Sequence, residues 1–130
     1  MAEIVKIMDN LQICAQRPAQ HAIAKAISAL RGWRDGNRLE MARRADAFRA
    51  ALAGSSWRIE ALGAYFAYVR HPFGDSSAAA VAERLARDFG VVTVPGSYFG
   101  SGQEPFLRMA FANADAETIA LLGGRLPERL

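Results

Sequence analysis

The sequence predicts an α+β fold: a two-layer small domain with a three-stranded mixed sheet, helices on one side, and further helices in front of it. Three observations carry this expectation. Apolar residues recur at helical spacing through the first fifty residues, whereas two later runs, GAYFAYV and FLRMAFA, are rich in the aromatic and apolar residues of strands. One well-marked helical run, SAAAVAERLARDF, lies between strands, and strands joined by a helix favour a mixed sheet. The chain of 130 residues has no linker, repeat or low-complexity segment, and its 52% hydrophobic and 22% charged content suits one domain with a real core.

The elements follow in order. Ile4, Ile7, Met8 and Leu11 share one face of a helix from about Ala2 to Leu11. No good N-cap precedes it, a hint that the natural element starts upstream. Pro18 suits the first turn of a second helix, because its missing N–H is one that a helix start leaves unpaired anyway. The apolar line Ala22, Ile23, Ala26, Ile27 and Leu30 then runs to a stop at Gly32. RDGN, from Arg34 to Asn37, has turn chemistry. A third helix is expected from about Arg38 to Ala53, with Leu39, Ala42, Ala45, Phe48 and Leu52 inward and Arg43, Arg44, Asp46 and Arg49 in water. The first strand is GAYFAYV, Gly63 to Val69. HPFGDSS turns the chain into a helix capped at Ser76 or Ser77 and ended by Gly90, after which VVTV is a short strand. PGSYFGSGQEP is a loop, FLRMAFA the third strand, and Asp115 caps a last helix, AETIALLGGRL.

Charge and composition exclude several functions. Of the 16 basic residues only Lys6 and Lys25 are lysines, and the 14 arginines are interspersed with 13 acids, as in NRLEMARRADAFR. That pattern describes solvated helix faces and not a phosphate-tracking stripe, so no nucleic acid is expected as a partner. No apolar stretch approaches the roughly 20 residues of a spanning helix, and MAEIVKIMDN puts charges where a signal peptide is apolar, so no membrane is expected and the chain reads as cytoplasmic. Cys14, the single cysteine, has no disulfide partner and is expected as a buried small apolar residue. His21 and His71 lie fifty residues apart without a ligand set around either, so no metal site is expected. Ser97 sits in PGSYFG and not in a GxSxG elbow, and nothing in the sequence supplies the rest of a triad.

Arg108 is the residue that demands a partner. Strand alternation puts Phe106, Arg108, Ala110 and Ala112 on one face of FLRMAFA and Leu107, Met109 and Phe111 on the other. A guanidinium between apolar residues is costly unless an anion meets it, and its planar fork suits a two-point contact with a carboxylate or a phosphate. The alternative is an ion pair with Glu104 or another acid. GSYFGSG lacks the GxxxxGK[ST] pattern and returns into a strand where a GxGxxG loop would open a helix, so Gly96, Gly100 and Gly102 are read as turn residues. Tyr65, Phe66, Tyr68, Tyr98 and Phe99 serve packing or line a small-molecule pocket.

VVTVPGSYFG, followed at short distance by LRMAFAN and a capped helix, resembles the C-terminal segment of class I/II aminotransferases, the fold type I pyridoxal-phosphate enzymes related to aspartate aminotransferase. DNLQICAQRPAQHAIAKAI resembles that family's passage from its large domain to its small one, and GAYFAYV with SSAAAVAERLARDFG resembles its small-domain strand and helix. The likeness covers nearly the whole chain. It implies a connecting helical segment over residues 1–36 and a small domain over 37–130. Arg108 matches the family arginine that grips the substrate α-carboxylate, and Tyr98 and Phe99 become candidate pocket lining. The family transfers an amino group between an amino acid and a 2-oxo acid with pyridoxal 5'-phosphate. Its cofactor motifs lie N-terminal to this sequence, and Lys6 and Lys25 match positions after the Schiff-base lysine. The resemblance therefore assigns no catalytic or cofactor-binding residue here, and the chain alone is expected to bind no cofactor and to be inactive without a missing large domain or partner chain. Apolar faces that the large domain would cover lead to an expected homo-oligomer. Three alternatives stay open: a recruited Lys6 or Lys25, a stand-alone amino-acid or carboxylate binding module, and a structural remnant.

Overall fold

The helical periodicity of the first third appears as α1 (Ala2–Leu11), α2 (Arg17–Ala29) and the start of α3 (Arg31–Leu52) in a computed structural model that describes residues 2–11 and 14–129. The chain divides into two units, Met1–Arg38 and Leu39–Leu130. In the first unit α1 and α2 bury no residue, and Ile4, Ile7, Met8, Leu11, Ile23 and Ile27 are all more than half exposed. Cys14 is exposed, contrary to expectation, because it lies on a connection between two helices that have no buried face to pack it. The expected turn at RDGN is also absent. The break falls at Leu30 (φ −92°, ψ 16°), whose amide donates to the Ala26 carbonyl at 2.8 Å, and α3 then runs unbroken through Gly32 and Gly36. Neither glycine takes a positive φ, and a cost near 1 kcal/mol for each is smaller than leaving a whole helix end of amides and carbonyls unpaired.

The second unit is built on β1 (Arg58–Gly63), β2 (Phe66–Arg70), β3 (Val94–Pro95) and β4 (Phe106–Ala110). The sheet order is β1-β2-β4-β3 with every pairing antiparallel, which corrects the expected three-stranded mixed sheet. Two features account for the difference. GAYFAYV is not one strand: Ala64 and Tyr65 form a two-residue turn closed by the Gly63–Phe66 pair, and the largely exposed RIEALG before it is an edge strand whose register irregularity between Ile59 and Ala61 breaks the apolar alternation that would announce it. The helix crossover does make β2 and β3 parallel to each other, but β4 enters between them and pairs with both. VVTV is extended into the sheet only from Val94, since Pro95 ends a strand that can donate no further bond.

Between β2 and β3 lies α4 (Ala78–Phe89). Ser77 is its N-cap, accepting from the Ala80 amide, and Gly90 ends it in the left-handed region (φ 65°), which lets the Gly90 and Val91 amides both reach the Leu85 carbonyl. The last helix, expected as one piece, breaks at Leu121 into α5 (Ala116–Ala120), capped by Asp115, and α6 (Leu122–Arg125). Ala67, Val69, Leu107 and Met109 form the core face of the sheet, met by Phe48 and Leu52 of α3, Val81 and Leu85 of α4, and Ile119 of α5. Leu39 and Ala42, expected inward, are exposed, because the apolar line of α3 reaches the core only from Ala45 onward. Arg44, expected in water, is part-buried and donates to Glu40 and to the Ala112 carbonyl, each at 2.7 Å. Trp57, buried, donates from its indole to the Pro127 carbonyl and so ties the C-terminal segment to the core.

Candidate functional site

Strand alternation leaves the other face of the sheet to Phe66, Tyr68 and Arg70 of β2 and to Phe106 and Arg108 of β4. Their register makes a ladder of rings and guanidiniums. The Arg108 guanidinium carbon lies 4.4 Å from the Phe66 ring centre and 4.7 Å from that of Phe99, while Arg70 lies 4.5 Å over Phe106, which stacks on Tyr68 at 5.1 Å. Contacts of this kind stabilise a cation and hold its plane without neutralising it.

The two arginines differ in one respect. Arg70 donates from Nε to Glu60 at 3.0 Å, whereas Arg108 has no carboxylate within ion-pair distance among the described residues. Its Nε is buried and has no hydrogen-bond partner in the structure. Glu104, the acid weighed against an external anion, accepts instead from the Ala78 amide at 3.0 Å and helps to cap α4. Arg108 opens on a cleft of about 460 Å³ lined by Phe66, Val92, Thr93, Val94, Ala110 and Asn113 among others. Among the described residues the Thr93 hydroxyl is a second buried polar atom without a partner. A half-buried guanidinium attracts an anion more strongly than one in water, because the local dielectric is lower.

The loop after β3 supplies Phe99. Gly96 starts a short 3₁₀ turn, Gly96–Phe99, where the backbone passes so close to Gln103, Phe106 and the Tyr68 hydroxyl that a side chain has no room. The Tyr68 hydroxyl donates to Gln103 Oε1 at 2.8 Å, and burial pushes its pKa up, which keeps it a donor. Phe99 thus arrives over Arg108. Tyr98 does not: it is 75% exposed and borders a separate groove with Ala79, Ala82 and Glu83 of α4. Of the residues singled out in the sequence, the structure unites Arg108 with Phe99 and Phe66 and leaves Tyr98 and Ser97 outside the cleft. Thr93 carried no signal in the sequence, and Phe66 could be paired with Arg108 only once the β2–β4 register was known. Among the described residues no group of three or more His, Cys, Asp or Glu side chains is placed to hold a metal ion, and no helix is long and apolar enough to cross a membrane.

The family model described as aminotransferase class I and II matches residues 1–126, and the chain belongs to that family. Its extent fits a C-terminal small domain. An aromatic aminotransferase from Arabidopsis thaliana, ISS1, is 29% identical over 126 residues, which is 95% of this chain and 32% of that protein. The structure of an aminotransferase from Mycobacterium tuberculosis is similar with a TM-score of 0.75 and 25% identity, covering 92% of this chain and 32% of the other. YbdL of Escherichia coli, whose structure and reactivity identify a methionine aminotransferase function, gives a TM-score of 0.72 and 25% identity over 96% of this chain and 34% of its own. The chain thus spans about a third of the length of these relatives.

Proposed function

We propose that this chain is the substrate-gripping small domain of a pyridoxal-phosphate-dependent aminotransferase, with residues 1–36 the connection from a large domain and 37–130 the small domain itself. Arg108 binds the α-carboxylate shared by the amino acid and the 2-oxo acid. The observation that carries this reading is the guanidinium of Arg108, held between two aromatic rings at a cleft with no acid of its own and a buried Nε left unsatisfied. Two parallel N–H bonds to a carboxylate fix the orientation of a substrate as well as its charge.

The cofactor supplies the electron sink of transamination, and it belongs to another segment or chain in this reading. The residues present do not fit it. Lys6 is ion-paired to Glu3 at 3.2 Å with its side chain 72% exposed, and Lys25 is exposed on α2, so neither lies in a cleft with an acid and a stacking ring. The partners are then a large domain and, in the assembled enzyme, a second subunit.

The test is pyruvate binding by the full chain, read from the Arg108 Nε–H resonance and from thermal stabilisation, with Arg108→Met alongside. A hydrogen-bonded ion pair contributes about 1.5–3 kcal/mol, so the variant is expected to bind roughly 10- to 100-fold more weakly while staying folded. Equal responses from both proteins would overturn the reading. Borohydride trapping after mixing with pyridoxal phosphate is expected to give scattered labelling, and one stoichiometric adduct at Lys6 or Lys25 would place a cofactor site in this chain instead.

A further inference from the structure

His71 stands out as a buried polar side chain, only 4% exposed, that the carboxylate site does not use. Its partners fix its chemistry. The Phe73 amide lies 3.3 Å from Nδ1 and can only donate, and the Glu104 carbonyl lies 2.9 Å from Nε2 and can only accept. One neutral tautomer, protonated on Nε2, satisfies both, and the other satisfies neither. The ring is held in that orientation by Phe73, nearly parallel at 5.8 Å, which in turn meets the buried Trp57 edge-on at 5.4 Å.

The place of this ring in the sheet gives it a task. The β2–β4 ladder pairs Arg70 with Phe106, and its next rung is His71 against Pro105. The His71 amide donates to the Pro105 carbonyl at 3.0 Å, but proline has no N–H to return the bond, so the rung is half made just where β4 begins. The His71 side chain supplies the missing hold one residue earlier, on Glu104. The Glu104 carboxylate is bound by the Ala78 amide at the start of α4, and Gln103 is bound by Tyr68. Register matters acutely here. A slip of one residue in β4 would turn Arg108 into the core and Leu107 out to the cleft, because side chains alternate with period two.

We propose that His71 is the positioning residue of the Arg108 site: as an Nε2–H tautomer it latches Glu104, fixes the entry register of β4, and so keeps Arg108 and Phe99 on the open face. This rests on the reading of Arg108 as the carboxylate grip, but its test does not. The full chain is labelled with ¹⁵N, and the imidazole resonances are assigned. The expected result is a His71 with Nε2 protonated and Nδ1 bare, and an Nδ1–H tautomer overturns the proposal. Amide exchange is then compared in His71→Leu and His71→Gln. Leucine fills the space without hydrogen bonds, whereas the glutamine amide can both donate and accept.

The expected outcome is exchange at least tenfold faster in Phe106–Ala110 for His71→Leu, with Val81 and Leu85 of α4 unchanged, and recovery to within a few fold of the parent in His71→Gln. Unchanged exchange in β4, or an equal rise in α4, would reduce His71 to a general packing residue. If His71→Leu does not fold, the tautomer decides alone. Absence of any pyruvate response in the parent chain would remove the carboxylate reading and leave these exchange results standing.

Discussion

At the scale of single residues, the sequence announces a problem more readily than its solution. Arg108 is visible as a cation out of place because strand alternation assigns it a face, and that face is the one it occupies. What surrounds it is not visible. Phe66 lies more than forty residues earlier, and only the β2–β4 register brings the two together. Tyr98 and Phe99 are indistinguishable as letters, yet the 3₁₀ turn sends one over the guanidinium and the other toward α4. Gly96 looks like a turn glycine and is needed for a different reason, the close passage of three neighbouring groups. A Cβ there would overlap the Gln103 carbonyl oxygen and lie 2.7 Å from both the Phe106 carbonyl oxygen and the Tyr68 hydroxyl. Gly96→Ala is therefore expected to cost about 1–3 kcal/mol, since backbone and a packed ring must shift. Urea unfolding followed by the fluorescence of buried Trp57 measures it.

Elements were legible where their ends carry chemistry. Ser77, Gly90 and Asp115 mark the helix ends they were expected to mark, because caps are local and depend on residues within one turn. Ser77→Ala is expected to destabilise the domain by about 1 kcal/mol, read as a lower urea midpoint at unchanged slope. β1 escaped notice because a register irregularity between Ile59 and Ala61 breaks its alternation, so that Ile59 and Leu62 reach the core three residues apart, and RDGN misled because the turn tendency of Asp and Gly is weaker than the continuity of a long helix. Helix surfaces also set the acid response. Hydrogen bonds from Arg43 and Arg44 hold the Glu40 carboxyl below its usual pKa, Arg87 and Arg84 do the same for Asp88, and the Thr118 hydrogen bonds lower Asp115 at its cap. In the unfolded chain these groups take up protons near pH 4, before their folded counterparts do. Their contribution is thus fully present above about pH 5 and is lost as pH falls through the depressed folded values, so these carboxylates are expected to lower the urea midpoint below pH 4.

For the whole molecule, the two-layer arrangement follows from the sequence, while the strand count and the all-antiparallel order do not, since a helix crossover cannot reveal that a later strand will enter its gap. The apolar residues of α1 are exposed, Leu11 at 75%, and contact with a second copy removes such surface from water. The chain is expected to sediment as a dimer or larger species, with Ile4→Lys and Ile7→Lys together shifting it toward the monomer. A monomer for the parent at all concentrations would refute this. The inserted strand has one more consequence, which concerns time. β4 follows the other three strands of its sheet in the chain, and among the described residues it alone pairs with both β2 and β3. Until Ala110 has emerged, the nascent chain holds a hairpin and a two-residue fragment with nothing to join them, and the pairing of Phe66 with Ala110 closes a long loop. Arg108 travels on that closing strand, so its cleft comes into being at the step that completes the sheet, and a synthesis intermediate has no means of holding a ligand early.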